Sequence, residues 1–202
     1  MAVNSTFTNI LELVGSLYPT FLVFFLVVAA LFNFNILKAI TYLGGIVLCF
    51  ISWYLTGKLF DTPRGSNASL TCNLFSMPGT NYMIPALPVI ISFFTFSYLL
   101  IPMLETNTIN PVVIAFLIIF SGINIYYQLF NFCTNAMGVI LSVIMGLILG
   151  GIWFGIFMAS GQRNILFYSE LTSNNVICER PRKQTFKCSV YKNGRLISNN
   201  II

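Results

Sequence analysis

Five long apolar stretches, almost free of ionisable side chains, in a chain that has no histidine, constrain this sequence more than any other feature. Each stretch runs for about 17 to 23 residues, enough to cross roughly 30 Å of hydrocarbon as a helix. A water-soluble fold has no means of hiding so much apolar surface. Charged residues make up 7% of the 202 positions, against about 25% in soluble domains, and the mean hydropathy is +0.86. The expected fold is therefore an all-α transmembrane helical bundle of about five spans.

Punctuation along the chain divides it into parts. Residues 1–16 read as a short N-terminus, 17–160 as the multi-pass bundle, and 161–202 as a basic tail. The first span is expected from Leu17 to Leu37, ending at Lys38, and the second from Ile40 to Thr56. A polar loop at about 58–82 follows, carrying Asp61, Pro63, Arg64, Gly65, Asn67, Cys72, Pro78 and Gly79. The third span begins near Pro85 and Pro88 and ends at Leu104, with Pro102 bending its last turn. Pro111 opens the fourth, from Val112 to Phe130. Asn124 and Gln128 interrupt it, and a four-span reading leaves it partly interfacial. The fifth runs from Met137 to Ala159. The first residues lack a basic n-region and a cleavage site, so the first span is expected to be retained.

Seven of the ten Lys and Arg residues follow the fifth span: Arg163, Arg180, Arg182, Lys183, Lys187, Lys192 and Arg195. The positive-inside rule then puts the tail in the cytosol and, with five spans, the N-terminus and the polar loop on the other side. Both N-x-[ST] sequons, at Asn4 and Asn67, fall on that other side and are candidate glycosylation sites. Such triplets also arise by chance, and Lys58 and Arg64 count against the charge bias. Cys72 and Cys133 share the non-cytosolic side, where an oxidising lumen permits a disulfide between them. Cys49, inside the second span, reads as a packing residue.

Gly146-x-x-x-Gly150 and Gly151-x-x-x-Gly155-x-x-x-Ala159 place small residues one turn apart on the fifth span, allowing close helix approach. This stripe serves either packing within the chain or a homo-oligomer. Ser92, Thr95, Ser97, Asn124 and Gln128 are candidates for hydrogen bonds between helices. In the tail, residues around Val176, from Thr185 to Tyr191 and from Arg195 to Ser198 alternate apolar and polar positions, with Asn193-Gly194 as a tight turn. That pattern predicts a small C-terminal β-meander. Its basic residues Arg180, Arg182, Lys183, Lys187, Lys192 and Arg195 are the candidate partner-binding set.

Proton relays, metal sites and general-base hydrolysis need ionisable groups facing the interior of a bundle. Glu12, Asp61, Glu105, Glu170 and Glu179 all read as lying outside the spans. The expectation is no enzyme, no cofactor and no metal site, no nucleic acid and no small-molecule substrate. Membrane lipid and another protein remain as partners. A small-solute channel or transporter is the alternative.

Three segments carry a resemblance to a known group: Thr71–Pro78 (TCNLFSMP), Phe94–Met103 (FTFSYLLIPM) and Cys178–Ile197 (CERPRKQTFKCSVYKNGRLI). Together they resemble small multi-pass membrane proteins of large double-stranded DNA viruses of algae and protists, the chlorovirus-like inner-membrane and minor capsid proteins. The resemblance covers roughly half the chain. It implies a structural protein of a virion inner membrane derived from host endoplasmic reticulum, with its basic tail facing capsid or other shell proteins. It implies no catalytic residue.

Overall fold

The computed structural model describes residues 7–65, 67–69, 72, 82–107, 109–162 and 165–167, and the backbone of 187–192 and 195–201. Five helices account for most of it: α1 (Phe7–Phe32), α2 (Ile36–Phe60), α3 (Leu87–Glu105), α4 (Pro111–Phe130) and α5 (Ala136–Ala159). All five are long and apolar enough to cross a membrane. They fit a multi-pass membrane protein.

The first boundary differs from the sequence expectation. Helix α1 begins at Phe7 and ends at Phe32, so the region expected to be a short N-terminus is largely helical. The chain turns at Asn33-Phe34-Asn35, where Phe34 takes a left-handed φ of 54°. Lys38 does not end a span but lies in the first turn of α2 and is buried. A run of apolar residues reads as ending at its first charge. The backbone instead breaks where the two Asn residues tolerate non-helical geometry. Glu12 consequently lies inside α1 and Glu105 is the last residue of α3, correcting their placement outside the spans.

Starts of the later helices follow local chemistry. The Asn110 side chain accepts from the Val112 and Val113 amides (3.1 and 3.4 Å) ahead of Pro111, and Asn135 accepts from Gly138 N–H at 2.7 Å. Both satisfy amides that a helix N-terminus leaves without partners. Helix α3 has no such cap of its own. Ser142 of α5 takes that role, its Oγ accepting from Ala86 N–H at 2.8 Å.

Helix α3 is the hub, with 67% of its apolar window buried and α5 lying along its length. Its inward residues Phe94 and Tyr98 stack with planes 7° apart, and Tyr42 of α2 packs beside both. Beyond α5 the chain folds back. Leu166 is fully buried, and Phe167 meets Tyr42 and Tyr98 edge-on at 6.2 and 6.3 Å.

The β-meander expected in the tail is not supported. Two segments, β1 (Lys187–Lys192) and β2 (Arg195–Ile201), pair as an antiparallel ribbon with a register shift between Val190 and Tyr191. The stretch around Val176 lies outside the described residues. A two-stranded ribbon alone is marginal in water, because it has no third strand or helix on which to bury a face.

Candidate functional site

Helix α4 is the most informative element, because its polarity is turned inward. Its buried residues are Leu117, Ser121, Asn124, Tyr127 and Gln128, while Val112, Ile118, Ile119 and Phe130 look outward. A helix in water shows the reverse arrangement. In lipid, polar side chains must find partners inside the protein, since hydrocarbon offers none.

The α1–α4 contact meets that need in a specific way. Pro19 lies inside α1 and has no N–H, so the carbonyl four residues earlier, Gly15, lacks its ordinary intrahelical donor. Asn124 replaces that donor, its Nδ2 lying 2.7 Å from Gly15 O. Gly15 lets the helices meet, because a Cβ there would fall 2.6 Å from Tyr127 Cβ. One turn deeper, Tyr18 and Ser121 hydroxyls lie 3.5 Å apart. The donor requirement fixes the amide orientation of Asn124 and leaves its Oδ1 buried without a protein partner, as is the Tyr127 hydroxyl.

Other polar groups tie the remaining helices together. Tyr42 OH lies 2.7 Å from Thr95 Oγ1, Ser97 Oγ donates to Leu147 O at 3.0 Å, and Trp153 Nε1 donates to Thr41 O at 3.1 Å. Trp53 Nε1 donates to Pro85 O at 3.0 Å, holding the end of α2 against the start of α3. Thr95, Ser97 and Asn124 thus bond across helices, whereas Ser92 donates to Pro88 O within its own helix. Tyr42, the two tryptophans and Ser142 were not singled out from the sequence. Their signal is the presence of a polar atom on an otherwise apolar span.

At the end where α2 leaves for α3, Cys72 and Cys133 are joined by a disulfide with Cα atoms 5.4 Å apart. This bond fastens the loop to the α4–α5 turn, and Ser69 N–H adds a bond to Asn131 O at 3.2 Å. Arg64 clasps the same loop, donating from Nη1 to Cys72 O (3.0 Å) and from Nη2 to Tyr82 O (3.2 Å). Burial pulls its pKa below the ordinary guanidinium value, and nearby Tyr127 acts in the opposite sense. Asn67 lies on this loop and is exposed; Asn4 lies outside the described residues.

The small-residue stripe on α5 divides in two. A Cβ at Gly146 would sit 2.7 Å from Ile90 O, and one at Gly150 would sit 2.5 Å from Phe94 O. These two glycines therefore admit the backbone of α3. Gly151 keeps 3.6 Å from Ile101, Gly155 meets nothing within 4 Å, and Ala159 is exposed. Cys49 is buried within α2.

Between α1 and α4, toward the α1–α2 turn, lies an apolar cavity of about 580 Å³. Among the described residues no group of three or more His, Cys, Asp or Glu is gathered closely enough to hold a metal ion. Of the basic tail set, Lys187, Lys192 and Arg195 lie on the ribbon, with Lys192 directly opposite Arg195. Arg180, Arg182 and Lys183 lie outside the described residues. No protein-family model, curated protein or solved structure matches the chain.

Proposed function

We propose that the chain is a structural membrane anchor, a helical bundle that holds a basic tail against a protein shell overlying the bilayer. The supporting observation is the use made of the interior polar groups. Thr95, Ser97, Ser142, Asn124 and Trp153 are each directed at a partner on another helix or its flanking segment, as suits a body built to stay assembled. The Cys72–Cys133 bond argues for an oxidising compartment at the loop end, which after an odd number of spans leaves the tail in the cytosol.

The resemblance to chlorovirus-like proteins supplies the setting, a virion inner membrane derived from host endoplasmic reticulum with capsid proteins on its cytosolic face. There Arg180, Arg182, Lys183, Lys187, Lys192 and Arg195 would meet an acidic protein surface. Exposed charge pairs of this kind are screened over about 8 Å at physiological salt, so the attachment weakens as salt rises. The test is cross-linking from the tail in the intact assembly, followed by replacement of the six basic residues with Gln. Capsid neighbours in the native chain, lost in the Gln variant at raised salt, support the anchor. Full retention of the Gln variant, or solute flux through liposomes containing only this chain, overturns it.

A further inference from the structure

We infer that the cavity between α1 and α4 is a binding site for one acyl chain of a membrane phospholipid. The two helices are locked together at one end and line a cavity toward the other. Gly15, Tyr18, Ser121 and Asn124 hold them in contact near the loop end. From Phe21 onward, residues of both helices line a trough of about 580 Å³. That volume lies within the roughly 300–1,000 Å³ range of small-molecule sites.

Rim and floor are distinct. Phe21 and Phe25 of α1 and Val112 and Phe116 of α4 form exposed rims, while Leu26, Leu99 and Phe167 form a buried floor. Stacking of Phe21 on Phe25, with planes 22° apart, stiffens one wall. Because both helices span the membrane, the trough opens sideways into hydrocarbon. Its walls are apolar except at one extremity, where Asn33 lies in the turn after α1.

Length and polarity together identify the occupant. From Phe21 to Asn33 the trough follows α1 for twelve residues, roughly 18 Å at 1.5 Å per residue. A single leaflet contributes about half of the ~30 Å hydrocarbon thickness. The trough therefore runs the depth of one leaflet, with its polar end at the interface and its apolar end near the midplane. This is the amphipathic pattern of a phospholipid, with the glycerol region beside Asn33 and the chain along the phenylalanine rims. Water gains nothing in such a site, since a buried water needs about three polar partners. Phe167, at the root of the tail, closes the floor.

The experiment is native mass spectrometry of the full chain, purified in mild detergent after reconstitution with phosphatidylcholine and phosphatidylglycerol. The native chain is expected to retain one phospholipid after bulk lipid has been stripped. A29F and V113F, which place a ring in the trough from opposite walls, are expected to lower that occupancy at least fivefold. I148F, on the outward face of α5, should leave it unchanged. Each variant's unfolding midpoint is measured alongside, so that loss of lipid is scored only in folded protein. Should both ring-bearing variants unfold, brominated-chain phospholipid added to folded Phe25→Trp, a substitution on the exposed rim, decides, by quenching of that tryptophan beyond the quenching of Trp53 and Trp153 in the native chain. No retained lipid in the native chain, equal retention in folded A29F or V113F, or no selective quenching overturns the site. Binding of a shell partner by the tail is read separately and is not affected by this result.

Discussion

The bond between Asn124 and Gly15 offers the sharpest test of how this bundle is held together. Pro19 withdraws the amide that would normally reach Gly15 O, and Asn124 Nδ2 takes its place at 2.7 Å. Asn124→Leu then leaves a buried carbonyl without a donor, at a cost of about 1–3 kcal/mol by general accounting. Hydrogen bonds between membrane helices have averaged only about 0.6 kcal/mol, with a maximum near 1.7, largely because the freed group finds another partner. Gly15 O has lost its intrahelical partner already, so the expected cost lies near the upper value, about 1.5 kcal/mol.

In a Pro19→Ala background the new amide reaches Gly15 O along the helix, and Asn124→Leu should cost no more than about 0.5 kcal/mol. Removing the unpartnered Oδ1 of Asn124 helps equally in both backgrounds and cancels from the cycle. A coupling energy of about 1 kcal/mol remains, above the roughly 0.3–0.5 kcal/mol scatter of independent sites. The assay is reversible unfolding in mixed micelles with increasing SDS, followed by fluorescence of Trp53 and Trp153. A coupling energy indistinguishable from zero, or of opposite sign, would refute the substitution of a side-chain donor for the missing backbone one.

Gly150→Ala should destabilise by about 1–3 kcal/mol, as overpacking does, because its Cβ meets the Phe94 carbonyl. Gly155→Ala has open space and should instead gain up to about 1 kcal/mol in helix propensity; equal effects in the same unfolding assay would contradict the division of the stripe. Replacing Cys72 and Cys133 with Ser opens a link across 61 positions and should cost less than the roughly 4 kcal/mol chain-entropy limit, since the spans stay inserted. Maleimide tagging of the native chain before and after reduction checks that the bond is present: a tag on Cys72 without reductant would deny it. Arg64→Ala removes both donors to the loop and should speed amide exchange around 61–69 and 82–86 by about tenfold, corresponding to roughly 1.4 kcal/mol. Unchanged exchange there would mean that Arg64 contributes nothing to holding the loop.

The five helices long and apolar enough to cross a membrane, and the opening of the fourth at Pro111, are legible in the residues alone, whereas the caps at Asn110 and Asn135 were not singled out. Length, apolarity and turn chemistry act locally, so they need no knowledge of neighbours. The α1–α2 boundary misled because the first charge, Lys38, comes only after the Asn33-Phe34-Asn35 turn, and charge was a poorer marker than backbone geometry. Among the described residues the tail pairs only β1 with β2, since alternation specifies which face a strand prefers but not what it pairs with.

Facing was decided only in three dimensions. In water, an apolar stripe tells which side of a helix is buried; in a bilayer, lipid and protein interior are both apolar, and that contrast vanishes. Thus Gly146 and Gly150 admit α3 while Gly155, on the same helix, is open, although their spacing is alike. Asn124 looked like an interruption of the fourth span, yet it is the donor required by a proline on the first, more than a hundred positions away. Composition was sufficient to direct this chain into a membrane, whereas its arrangement there depended on which few polar atoms could find one another.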